Sequence, residues 1–131
     1  MKIGTLDRSK LAKNGKEFID LVASGTDEIA RSADDVRQLR QSGQGALAKL
    51  SEDDFNEFLA NLQFNEKGVI TGSYKPLMSS LSLSEVFEVF ENFGIDRDYL
   101  TSETHDSACV NGQCEFAFFS FCSSLCSTVG V

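Results

Sequence analysis

All four cysteines of this chain lie in its last 23 residues, CVNGQCEFAFFSFCSSLCSTVGV, spaced C-x4-C-x7-C-x3-C. The same stretch holds Ser120, Ser123, Ser124, Ser127 and Thr128, and its only charge is Glu115. As a strand, FAFFSFC would put Phe116, Phe118 and Ser120 on one face and Ala117, Phe119 and Phe121 on the other. Such a strand is apolar on both sides and has to be buried. The chain must therefore absorb this segment into a core, bind something with it, or use it chemically.

The cysteine spacing narrows the chemistry. Structural zinc sites pair their ligands as C-x2-4-C, because a tight knuckle aims two thiolates at one ion. Cys109 and Cys114 meet that spacing only at its upper edge, while Cys122 and Cys126 stand at helical spacing. A C-x-x-C redox motif is absent. The N-terminal MKIGTLDRSK has no apolar core of the secretory kind, so the cysteines are expected to be reduced in the cytoplasm. Two disulfides remain open if the tail is exported by a dedicated transporter. The uncharged run from Phe116 to Val131 is sixteen residues long and carries five hydroxyls. That is too short and too polar for a spanning helix of about 20 residues, so no stable membrane insertion is expected.

Charge excludes a further class. The net charge is -8, which opposes nucleic-acid binding through phosphate contacts. The imbalance is local: residues 1–50 carry nine basic and seven acidic side chains, residues 51–131 three and thirteen. Eleven phenylalanines and a 41% apolar content suffice for a modest core.

The first hundred residues have the periodicity of helices with legible ends. Asn14, with Glu17 three residues on, caps a helix that stops at Gly25. A second helix is expected from Thr26 to Gly43, and a third from Ser51 with the stripe Phe55, Phe58, Leu59, Leu62. Ser82 and Glu85 form a capping box for a fourth, whose face is Val86, Phe87, Val89, Phe90 and Phe93. Between them, residues 62–74 admit a short β-hairpin around Asn65 and Gly68. The expected fold is mostly α: a bundle of about four helices (residues 1–95), a polar linker (96–108) and a flexible or extended tail (109–131). His105, alone in that linker, has no element to hold it as a general base. Glu52, Asp53 and Asp54 sit in a first helical turn, where the helix dipole accounts for them.

An acidic, amphipathic helical segment followed by a nearly uncharged Cys/Ser/Thr tail resembles the precursors of ribosomally made, post-translationally modified peptides of the lanthipeptide kind. The resemblance is one of organisation and rests on the tail and on LSLSEVFEVFENFG before it. It implies a non-enzymatic substrate without metal or cofactor. Its modified core would comprise Cys109, Cys114, Cys122, Cys126, Ser120, Ser123, Ser124, Ser127 and Thr128. Its leader recognition face would be Val86, Phe87, Val89, Phe90 and Phe93. Its cleavage region would be Ser107–Ala108, since no Gly-Gly or Gly-Ala pair directly precedes the tail. The partners implied are a modifying enzyme, a leader protease and an exporter, with a cytoplasmic precursor and a core open to export. Two other readings stand beside it: a small acidic helical interaction protein with buried reduced cysteines, and a C-terminal Cys-rich metal-binding module.

Overall fold

The structure, a computed structural model, describes residues 2–128, and of Thr128 the backbone alone. Four main helices form, three of them where the caps predict. These are α1 (Gly15–Ala23), α2 (Ala33–Gln41), α3 (Glu52–Asn61) and α5 (Leu83–Glu91); α4 (Lys75–Met78) and α6 (Arg97–Tyr99) are single turns. Asn14 accepts from Glu17 N, Ser51 from Asp54 N, and Ser82 with Glu85 closes a full capping box. Each satisfies amide groups that a helix start otherwise leaves open.

The second helix starts later than the sequence pattern suggests. Ser32, not Thr26, is its cap. Residues 26–31 are held in an irregular path by Arg31, whose guanidinium donates to the carbonyls of Val22, Thr26 and Lys67. Ile29 and Ala30 are nevertheless buried there.

The expectation of a mostly α bundle with a flexible tail is wrong. The chain is a mixed α/β domain built around a four-stranded antiparallel sheet of order β1-β2-β4-β3. Its strands are β1 (Gln63–Phe64), β2 (Val69–Ser73), β3 (His105–Val110) and β4 (Gln113–Cys122). The short hairpin near 62–74 is only half of that sheet. The other half comes from residues expected to form the linker and tail. Thr71, Gly72 and Ser73 of β2 pair with Cys122, Phe121 and Ser120 of β4. Residues 96–108 make α6, one π turn (Leu100–Thr104) and most of β3.

The physical reason is burial. Phe121, Cys122, Leu125 and Cys126 are at most 2% exposed and belong to the one core, with Phe18, Phe58, Val89, Phe90, Phe93 and Tyr99. The Phe121 ring meets Phe90 edge-on, centroids 4.7 Å apart. It also lies so close to Gly72 that a Cβ there would stand 2.9 Å from its ring and 2.7 Å from Leu62. The final 3-10 turn (Ser124–Thr128) packs on α1, where the Ser124 hydroxyl donates to Gly15 O at 2.8 Å.

Candidate functional site

Asn111 and Gly112 join β3 to β4, and both have positive φ (53° and 79°). That is the two-residue turn whose twist matches a hairpin, and Asn-Gly is its strongest sequence signal. It sets Cys109 opposite Cys114 and Val110 opposite Gln113. The register then breaks. His105 pairs with Phe121 but Ser107 already pairs with Phe116, so residues 117–120 of β4 face the single residue Asp106 and, with Phe116, form a bulged loop in the strand.

Three restraints hold that loop. At its base the Cys114–Cys122 disulfide brings the two Cα atoms to 5.7 Å. A straight strand would separate them by about 26 Å. At its centre Asp106 accepts from the Tyr74 hydroxyl (2.6 Å) and the Phe119 amide (3.0 Å). Asp106 and Phe119 both take positive φ, a conformation that costs free energy unless neighbours enforce it. The Tyr74 hydroxyl and the Phe119 amide hold the Asp106 carboxyl below its ordinary pKa, while burial and then Asp106 push Tyr74 up. The third restraint is the bond from Tyr74 N to Phe119 O, 2.8 Å.

What the loop carries is aromatic and largely exposed. Phe116 is 71%, Phe118 72% and Phe119 41% accessible. Phe116 and Phe118 form a T-shaped pair at 4.8 Å, and Phe119 stands edge-on to Tyr74 at 6.0 Å. Tyr74 in turn lines an apolar groove of about 280 Å³ with Met78, Leu83, Val86, Phe87 and His105. Through Tyr74 the loop adjoins this groove.

The second disulfide, Cys109–Cys126, ties β3 to the closing turn. Among the described residues no cysteine is free. The Sγ atoms of Cys109, Cys122 and Cys126 lie within 4.8 Å of one another, so the two disulfides form a single sulfur cluster.

The structure scatters the residues that the sequence singles out. Val86, Val89, Phe90 and Phe93 are buried, and Phe87 is half-buried under the Arg97 guanidinium. Only Val86 and Phe87 of that face reach the groove. Ser107 and Ala108 lie within β3. Ser120 pairs with Ser73. Ser123 is buried, donating to Val69 O at 2.7 Å. The Ser124 amide donates to the Tyr99 hydroxyl, and Ser127 bonds back to Ser124 O. The Thr128 side chain lies outside the described residues. His105 opens β3 at the groove's edge. Sequence reasoning missed the Phe loop and the hairpin beneath it, although Asn111-Gly112 announced the turn.

Replacing Cys114 and Cys122 together by Ser is expected to cost about 2.5 kcal/mol, the entropy of an eight-residue closure. Urea unfolding of the variant measures it. In the folded variant, amide exchange should rise at 115–120 and stay slow in α5, since the loop alone loses its base. The chain matches no known protein-family model, no curated protein and no solved structure.

Proposed function

We propose that this chain is a non-catalytic interaction domain that docks its disulfide-closed Phe loop into an apolar cleft, rimmed by Lys or Arg, on a protein partner. The observation that carries this reading is the exposure of Phe116, Phe118 and Phe119 on a loop restrained at both its base and its centre. Aromatic surface of this kind is unfavourable in water, and contiguous patches of it mark interaction sites. A restrained loop loses little entropy on docking, and aromatic anchors dominate interface energetics. Residues 51–131, which include the loop, carry three basic against thirteen acidic side chains. That field repels anionic lipid and favours a basic rim on a protein partner. Two disulfides fit an oxidising compartment.

A maturation enzyme acting on the same tail would have to open both disulfides and draw Phe121 and Leu125 out of the core. That counts for a resident rather than a removable tail.

The test is site-directed photo-crosslinking, with p-benzoylphenylalanine in place of Phe118 in the producing cells. The reading expects one saturable adduct, whose purified partner binds the wild-type chain and binds F116S/F118S at least ~100-fold more weakly, the loss of two hot-spot rings. Binding should also weaken as salt screens the rim. The variant itself should keep its stability within about 0.5 kcal/mol, both rings being exposed. Equal affinity of the two forms, or only diffuse adducts, overturns the proposal. So does a tail mass lowered by multiples of one water, which identifies a modified precursor instead.

A further inference from the structure

From the sulfur cluster we infer that the reduced protein holds one zinc ion on Cys109, Cys114, Cys122 and Cys126. The four side chains come from β3, the two ends of β4 and the closing 3-10 turn. Three of the sulfurs already lie within 4.8 Å of one another, and the fourth, on Cys114, is bonded to Cys122. A tetrahedral zinc–thiolate site has bonds of about 2.3 Å, which places its sulfurs about 3.8 Å apart. The bonded pairs must therefore part, a movement that side-chain rotation supplies; the Cys122 sulfur needs to close on those of Cys109 and Cys126 by at most about 1 Å, while the Cys114 sulfur, outside that group of three, has farther to swing.

The backbone around the cluster is already placed for this. Cys109 and Cys114 stand opposite each other beside the Asn111-Gly112 turn. Such a turn presents two ligands side by side, as a zinc knuckle does, although the sequence spacing is longer than usual. Cys122 and Cys126 flank Ser123, whose hydroxyl bridges Val69 O and Leu125 N and so fixes the second pair. Cys122 and Cys126 are buried, which keeps competing water away, while Cys114 is exposed and gives the ion an entry.

In the conversion, a dithiol attacks each disulfide, delivers two electrons and two protons to the cystine, and closes to its own disulfide. Zn²⁺ then displaces the four thiol protons and binds the four thiolates. The same side chains thus clasp the Phe loop and the closing turn to the body in either redox state, by covalent bonds when oxidised and through the ion when reduced. The inference does not depend on what the Phe loop binds.

The experiment uses the full chain, reduced with a water-soluble phosphine, which takes its oxygen from water and leaves four thiols. Zinc is added, excess ion is removed, and native mass spectrometry and near-UV circular dichroism are recorded. The expected result is one zinc per chain with four protons lost, and a near-UV signal like that of the oxidised protein. Cobalt in place of zinc should give the intense visible bands of a tetrahedral thiolate site. C114S should bind roughly 100-fold more weakly, one of four zinc–thiolate bonds being lost, and the oxidised protein should bind none. Sub-stoichiometric zinc, an octahedral cobalt spectrum, undiminished binding by C114S, or zinc uptake without return of the near-UV signal each overturns the inference.

Discussion

A chain ending at Ala108 is expected to show no cooperative thermal transition. The deletion removes Phe121, Cys122, Leu125 and Cys126, all at most 2% exposed. Truncating a buried Phe to Ala costs 3–5 kcal/mol and a buried Leu 2–5, so these two residues alone are worth roughly 5–10 kcal/mol. That is comparable with the entire stability of a domain of this size, about 5–15 kcal/mol. The cut also strips β2 of β4, one of its two partner strands, and leaves the buried Tyr99 hydroxyl without the Ser124 amide. A buried polar group without its partner adds about 1–3 kcal/mol. Far-UV circular dichroism of residues 1–108 against temperature decides the matter. A sharp transition within a few degrees of the full chain would mean that the helical part stands alone and presents the tail as cargo.

The fold was legible wherever local chemistry decides it. Asn14, Ser51 and Ser82 announce helix starts through a side chain that reaches its own third amide, and nothing distant alters that geometry. The stripe Val86, Val89, Phe90, Phe93 was equally readable as an apolar face. Thr26 misled because its segment is fixed by a contact remote in sequence, Arg31 to the carbonyl of Lys67. The tail misled for a related reason. Its alternation is broken at Phe119, whose positive φ is held by Asp106 thirteen residues earlier. Period-two reasoning across FAFFSF therefore cannot sort the rings, and it sets exposed Phe119 on the same face as buried Phe121. Asn111-Gly112 was the one local signal that could have recovered the hairpin, and with it the strand character of residues 105–122. The candidate site was less legible still. The four cysteines were visible from their count, but which sulfur meets which depends on β4 doubling back. That follows from the bulge and not from C-x4-C-x7-C-x3-C.

Phe121→Ala should be the most damaging single substitution in β4, with a loss of about 4 kcal/mol. The ring is fully buried and cannot be replaced by inward relaxation, because its surroundings are stiff. One wall is the backbone of β2 at Gly72, locked in register with β4; another is Phe90, itself fully buried. Cores of this density collapse only partly around a missing ring, so the lost transfer free energy is joined by a cavity term. For a chain of this length such a loss lowers the thermal midpoint by roughly 10–15 °C. Urea unfolding should show the midpoint falling with an unchanged slope, since the surface exposed on unfolding is nearly the same. Phe118→Ala is the internal control. It has the same chemistry in the same strand, yet its ring is 72% exposed, so its effect should stay within about 0.5 kcal/mol. If the two substitutions cost alike, β4 is not anchored through Phe121, and the Phe loop has no rigid body to be presented from.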